Sequence, residues 1–512
     1  MLFKPFNQFF DASRTIESVA LSNLFMRYSN MAAMLVSGLI LVPTVVSNVP
    51  AEVYSVWLST LVLQAVLQNL DFALPVVVQQ RLSAKYDDNS LSGLKITAVA
   101  SIWSGLFVAI FVLMIAEMLL WIALRFSFAN SEVLQENYMV FALAIFANTL
   151  NIFAFSISGV IIGLQSRIAQ GLIALLSTIA LFFVTYITVL SGFGLIALPL
   201  GLLTSGIIIA LGGLLYAYYR LKGLPAISLK SYYRESLTLF SVGKKLAFSR
   251  ALIGSVNFVD LLILKYFVSD QVLISYFITK KGIDILRDLF SQVLASIMTA
   301  GTRLTQKANR LSVNASHIPR GWMLITIALA IFCSGGILIF NEGFVSIWIG
   351  VQYYQGTIVN AALVLSFLFV VIGNSLVSLN LSLGYFTYVA ALQLTQTFVC
   401  IIFSVLFGMQ FGILGVIFAM PLSWVCAIYF SRGKIKDIKY LNFDRFSSKI
   451  MTIIVINIII ACVISYLWKP SSSNILGYFI ALGIYILIPA LLSVGLFYKN
   501  IGPYLDSFRV KS

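Results

Sequence analysis

The chain has 512 residues, 60% of them hydrophobic, 14% aromatic and only 10% charged, with a mean hydropathy of +0.99. Soluble chains carry about 25% charged and about 45–50% apolar residues, which argues against a soluble enzyme, a nucleic-acid-binding protein and a disordered chain. In so apolar a sequence the net charge of +15 reads as membrane topology, because cytoplasmic loops collect Lys and Arg.

The opening MLFKPFNQFF has no small-residue cleavage site after an early apolar core, so it does not read as a cleavable signal. Its Phe3, Phe6, Phe9 and Phe10 form either one face of a short interfacial helix or part of a frayed tail. A crossing helix needs about 20 apolar residues. Fourteen such spans are predicted, near 25–47, 53–79, 96–123, 138–163, 168–190, 194–219, 246–268, 271–298, 322–340, 356–378, 386–407, 411–430, 450–468 and 474–498. They are continuous apolar runs rather than alternating ones, which favours helices over a barrel.

With the N-terminus in the cytoplasm, 26 of the 33 basic residues fall on inner loops and tails. Only Arg125 and Lys469 fall on outer connections, and Arg250, Lys265, Lys280, Lys281 and Arg287 lie within apolar segments. This bias also supports an even number of spans, with both termini inside. The four cysteines (Cys333, Cys400, Cys426, Cys462) sit in apolar runs without a CxxC pair and read as small packing residues. With one histidine, His317, there is no multi-histidine metal site and no catalytic triad to expect on an outer loop. Asp87-Asp88 is a solvated loop rather than a sugar-nucleotide motif.

Three places share an offset near 220 residues. Gly163-Leu164-Gln165 matches Gly384-Tyr385-Phe386, Phe193-Gly194 matches Phe411-Gly412, and Val49-Pro50-Ala51-Glu52-Val53 matches Val268-Ser269-Asp270-Gln271-Val272. Each FG pair opens a span that carries a proline, Pro199 and Pro421. The common offset implies duplication. The fold class is therefore all-α: a polytopic membrane protein of about 14 transmembrane helices, with two pseudo-symmetric six-helix lobes plus two C-terminal helices. The segments are a cytoplasmic N-terminal stretch 1–23, an N-lobe 24–220 (spans 1–6) and a basic connector 221–245 with Pro225. A C-lobe 246–430 (spans 7–12), a basic loop 431–449, spans 13–14 within 450–498 and a tail 499–512 follow. Two lobes of this kind leave a cleft that rocking opens to either side.

Ionisable groups at membrane depth cost at least about 2.5–3.5 kcal/mol on insertion scales and need a partner or a wet cavity. They concentrate in the second half. Span 7 carries Arg250, Asn257, Asp260 and Lys265; span 8 carries Lys280, Lys281, Asp284, Arg287 and Asp288 at i, i+1, i+4, i+7 and i+8, one helix face. Asp284 is in reach of Lys280, Lys281 and Arg287. Two readings follow: an internal ion-pair network locking spans 7 and 8, or a hydrated path for an anionic headgroup or a coupling cation. The five bases against three acids (Arg250, Lys265, Lys280, Lys281, Arg287; Asp260, Asp284, Asp288) favour the anion. Arg27 and Arg250, at the inner ends of spans 1 and 7, line a cytoplasmic mouth or snorkel to headgroups. Asp71, four residues before Pro75, either caps a kinked helix or belongs to a gate; Pro43 bends span 1, and Glu117 has no assigned partner.

The chain resembles the polysaccharide transporter branch of the multidrug/oligosaccharidyl-lipid/polysaccharide exporter superfamily, especially bacterial O-antigen-type flippases. The carriers are Val49–Gln80 (VPAEVYSVWLSTLVLQAVLQNLDFALPVVVQQ), Gly163-Leu164-Gln165, and Asp260–Tyr276 (DLLILKYFVSDQVLISY). The sequence departs at Asp71-Phe72-Ala73, where the family usually has a glycine. The resemblance implies a multi-pass inner-membrane flippase for undecaprenyl-diphosphate-linked oligosaccharide in O-antigen or lipopolysaccharide synthesis. It also implies alternating access coupled to a proton or sodium gradient, contact with membrane lipids and polysaccharide assembly proteins, and no cofactor, metal or nucleic acid. Arg27, Arg250, Lys265, Lys280, Lys281 and Arg287 are then candidates for the headgroup, with Asp71, Asp260, Asp284 and Asp288 as their charge partners or as coupling groups. The alternatives are a multidrug or cation exporter of the same superfamily, whose cavity should be acidic, and a membrane glycan polymerase. A polymerase usually carries a sizeable charged outer loop, whereas the longest outer connections here, 124–137 and 341–355, hold few ionisable groups and no acid–base pair.

Overall fold

A computed structural model of the protein describes residues 16–72, 74–87, 91–125, 135–222, 228–256, 258–310, 317–382 and 385–431. The phenylalanine-rich opening, the loop 432–449, spans 13–14 and the tail 499–512 lie outside the described residues. Among the described residues the structure is all-helical. In the first half run α1 (Ile16–Asn48), α2 (Ala51–Asn69), α3 (Leu74–Asp87), α4 (Leu91–Arg125), α5 (Tyr138–Gly163), α6 (Arg167–Leu190), α7 (Ala197–Leu221) and α8 (Leu229–Val256). The short α9 (Val259–Leu264), α10 (Asp270–Arg310), α11 (His317–Trp348), α12 (Thr357–Ser382) and α13 (Phe386–Ser431) follow, with a single 3-10 turn before α7 and another before α12.

Nine described segments are long and apolar enough to cross a membrane, so the protein is a multi-pass membrane protein. They correspond to predicted spans 1–6 and 9–12, the last two falling within Tyr388–Phe430. At 1.5 Å per residue those 43 residues are about twice a membrane thickness. Helix α13 resolves this at Gly412, whose backbone (φ 57°, ψ −131°) leaves the helical region. The matching glycine of the first FG pair, Gly194, has φ 59°. A Cβ at either glycine would meet open space, so the left-handed backbone rather than crowding demands glycine there. The two glycines at the predicted repeat offset thus share a positive φ. Predicted spans 7 and 8 are not in this set among the described residues: span 8 falls on α10, which carries the ionic stripe, and span 7 is divided between the end of α8 and the six-residue α9.

The chain divides into two compact units, residues 1–258 and 259–512. In the first, α5 is the central post, packed by α7, α4, α3 and α2. It is apolar or small on nearly every side and buries 16 residues, among them Ala147, Ile152, Ile157, Gly159 and Ile161. A helix apolar all round belongs inside its protein. Helix α6 buries only the stripe Ala169, Ser177, Thr185 and Val189, while Leu176, Ile179, Phe183 and Ile187 are exposed, as suits a helix bordering lipid. Residues 229–256, read in sequence as connector and start of span 7, form one helix, α8, packed on α2, α4 and α3.

Predicted span 2 is broken. Helix α2 ends at Asn69 and α3 begins at Leu74, with Phe72 between them at φ 53°. The Leu74 amide donates to the Asp71 carbonyl, and the Asp71 side chain is buried. A phenylalanine in the left-handed region is strained. It is held there by packing, with its ring edge-on to Phe240 of α8 at 6.0 Å. In the second unit α10 packs on α12 and α11, α12 on α13, and α9 on α13. Val370, Val377, Val389, Leu392 and Trp424 form its main apolar cluster.

The α3–α5 crossing is the tightest test of this packing. A Cβ at Gly159 would fall 2.6 Å from the carbonyl oxygen and 2.7 Å from the Cα of Pro75, both backbone atoms that have little room to yield. Gly159→Ala is expected to cost about 1–3 kcal/mol through overpacking, read as a lowered melting temperature of the detergent-purified protein; an unchanged melt would contradict the crossing.

Candidate functional site

Helix α9 is only six residues long and places Asp260 in its first turn, where the Leu261 amide donates to Asp260 Oδ1 at 2.9 Å. The other oxygen, Oδ2, accepts from the Tyr276 hydroxyl at 2.6 Å and from the Lys280 ammonium. Tyr276, Lys280 and Asp284 follow one another at four-residue spacing on α10 and so share a face. Lys280 Nζ lies 4.0 Å from Asp284 Oδ1, Arg287 Nη1 lies 3.0 Å from the same oxygen, and Arg287 Nε is 3.7 Å from Asp288. The result is a chain of alternating charge, Asp260–Lys280–Asp284–Arg287–Asp288. The Lys280 side chain is 8% exposed and that of Asp288 68%, so the chain runs from the interior of the unit to its surface.

Its formal charge is three carboxylates against two bases. Lys265 pairs separately with Asp270 in the turn joining α9 to α10. Lys281 has no carboxylate within ion-pair distance among the described residues, and its ammonium lies 5.4 Å from the centre of the Phe277 ring. The side chains of Arg27 and Arg250, and all of Asn257, lie outside the described residues. Asp71 belongs to the other unit.

A neutral seam adjoins the charges. The Asn341 amide on α11 donates to the Thr279 carbonyl (2.9 Å) and to Asn360 Oδ1 of α12 (2.8 Å). Thr279 Oγ1 donates to the Tyr353 carbonyl and accepts from the Gln355 amide. These bonds tie α10 to α11 and α12 beside Lys280 and satisfy groups that would be costly to bury unpaired.

The first unit has its own polar joints. Glu235 of α8 accepts through Oε1 from Thr97 Oγ1 (2.8 Å), Lys85 Nζ (3.0 Å) and Arg81 Nη1 (3.2 Å), clasping α8 to α3 and α4. Burial alone would raise the Glu235 carboxyl, but the hydrogen bonds from Thr97 and Lys85 and the charges of Lys85 and Arg81 outweigh it and hold it below its ordinary 4.5. Between α2 and α5, the Gln68 amide donates to Asn148 Oδ1 at 2.8 Å and the Asn148 amide donates to Gln64 Oε1 at 3.5 Å. Sequence reasoning did not single out Glu235, Tyr276, Asn341 or Asn148. Glu235 was findable as the lone acid in the basic stretch 220–245, and Tyr276 as the residue one turn before Lys280.

No protein-family model matches the sequence, and no curated protein matches it. Solved structures do. An inward-facing multidrug resistance transporter of the MATE family, in the MOP superfamily, is similar with a TM-score of 0.63 and 14% identity, over 80% of this chain and 96% of that one. The lipid II flippase MurJ, in an inward closed conformation, is similar with a TM-score of 0.61 and 13% identity, over 94% of this chain and 99% of that one. A MOP superfamily transporter from Pyrococcus furiosus, described as having a binding pocket of reverse polarity, has a TM-score of 0.57 and 14% identity over 82% of this chain and 96% of that one. The protein therefore has the polytopic helical fold of MOP superfamily transporters.

Two outcomes test the joints. Asp260→Ala leaves Lys280 short of its nearest counter-charge and should cost about 3–5 kcal/mol, while Asp260→Ala with Lys280→Met should recover most of the loss. Both are read by thermal melting of purified protein, and a double variant no better than the single would contradict the pairing. For Glu235, a carboxyl held below its ordinary value stabilises the protein at neutral pH, and that contribution disappears as pH falls below about 4.5. Glu235→Gln should therefore melt below the wild type at pH 7, the gap closing under acid; a gap that is constant with pH would contradict the clasp.

Proposed function

We propose that the protein is a flippase moving undecaprenyl-diphosphate-linked oligosaccharide across the bacterial inner membrane, by alternating access of two lobes coupled to a proton or sodium gradient. Both termini lie in the cytoplasm, as the bias of Lys and Arg supports. The observation that carries this reading is coverage. The likeness to the lipid II flippase extends over 94% of this chain, whereas the likenesses to multidrug transporters extend over 80–85%. A chain longer than a multidrug transporter by about the length matched in a lipid flippase fits a substrate with a lipid tail.

In this reading Lys281 meets the diphosphate first, its ammonium lying beside the Phe277 ring with no carboxylate within ion-pair distance among the described residues. Lys280, Arg287 and Lys265 engage it by exchanging carboxylate partners, and Arg27 and Arg250 serve the cytoplasmic mouth. Asp260, Asp284 and Asp288 hold those bases when no substrate is bound, and Asp71 serves the first lobe. The O-antigen class of glycan and contact with polysaccharide assembly proteins belong to the same proposal. A second reading, a multidrug or cation exporter of the same superfamily, is favoured by one feature: the three carboxylates to two bases of the buried chain.

A leaflet assay in cells deleted for the gene separates the two. Lipid-linked oligosaccharide should accumulate on the cytoplasmic side and be delivered again on complementation, and Lys281→Ala should insert normally yet lower delivery at least about tenfold, as expected when a charge-assisted contact of about 1.5–3 kcal/mol is lost. Undiminished outer-leaflet delivery in the deleted cells, with altered drug resistance, would reject the flippase.

A further inference from the structure

The Lys280 ammonium occupies the kind of place a small cation takes. Asp260 Oδ2 contacts it, Asp284 Oδ1 lies 4.0 Å away, and the Tyr276 hydroxyl is fixed at 2.6 Å on the same Asp260 oxygen. Two carboxylates and a phenol are hard oxygen donors suited to alkali and alkaline-earth ions. The donors are held in advance. Asp260 is pinned by the Leu261 amide as well as by Tyr276, and Asp284 by Arg287. Asp284 Oδ1 is buried and lies between two cations, Arg287 Nη1 at 3.0 Å and Lys280 Nζ at 4.0 Å, without a well-formed hydrogen bond among the described residues. The Lys280 stem enters from α10 beside the Tyr276 ring, with Nζ 5.9 Å from its centre. Helix α13 contributes the buried Cys400 nearby, a weak donor that offers no competing charge.

The formal charges fit a single bound monovalent cation. With Lys280 the group Asp260, Lys280, Asp284, Arg287 is neutral; without it the same residues carry one uncompensated negative charge in a low-dielectric interior. We propose that the Lys280 ammonium is a tethered cation filling a monovalent-cation site made by Asp260, Asp284 and Tyr276, so that the wild-type protein binds no sodium there and a protein with a small neutral residue at 280 does. Sodium at this position is then not the coupling ion of the transporter. The inference concerns the ion rather than the cargo and does not depend on the flippase reading.

The test uses radioactive sodium binding to the full-length protein in detergent, at constant ionic strength maintained with choline. Wild type should show no saturable binding. Lys280→Ala should bind about one sodium per chain, displaced by excess unlabelled sodium and not by choline, and Lys280→Ala with Asp260→Asn should lose it. Recovery of folded Lys280→Ala in sodium but not in choline buffer supports the proposal in the same way. Saturable binding by wild type that Asp260→Asn abolishes would overturn it, as would a folded Lys280→Ala protein without binding, or one that aggregates equally in both buffers. No substrate enters the assay, so its failure leaves the flippase proposal standing, and unchanged glycan delivery leaves this one standing.

Discussion

A charge inside an apolar bundle must be matched at once, because neither lipid nor packed side chains can solvate it. The chain Asp260–Lys280–Asp284–Arg287 meets that demand within one unit. It binds the short α9 to the long α10, and it dictates which face of α10 turns inward. The same requirement places the Asn341–Thr279–Asn360 seam beside it, since backbone carbonyls and amides near buried charges need partners as well. Along the chain of charges the side chains become well exposed at Asp288.

The two units solve the membrane problem differently while sharing a plan. Both carry an FG glycine in the left-handed region at the repeat offset, Gly194 and Gly412. The first unit is held by close helix approach, with Gly159 and Gly163 of α5 letting α3 come within backbone contact. Its polar joints include neutral amides at Gln68 and Asn148 and an ionic clasp at Glu235 that ties α8 to α3 and α4. The second unit carries its charge in the interior.

Much of this was legible in the sequence, and the reason is periodicity. Apolar runs of crossing length located the helices, and the spacing of Lys280, Asp284 and Arg287 placed them on one face of α10, because 3.6 residues per turn is a property of the chain itself. The pairing was less legible. Counting five bases against three acids treats charges as a pool, but Lys265 is taken by Asp270 and Lys280 by Asp260, twenty residues away across a helix break. Such partners depend on tertiary approach, which no local spacing encodes. The break of span 2 was hidden for the same reason. A glycine would have announced it; Phe72 holds the left-handed turn through its packing against Phe240.

In the proposed function this single chain moves a polar, diphosphate-bearing headgroup across a bilayer while the lipid tail stays in the membrane. Purified protein reconstituted into vesicles with headgroup-fluorescent undecaprenyl-diphosphate oligosaccharide tests it most directly, using a membrane-impermeant quencher added outside. The account predicts that active vesicles lose nearly all fluorescence, while protein-free vesicles lose only the outer half. Vesicles that retain the inner half of the signal with folded protein present, yet take up a cationic dye, would contradict it.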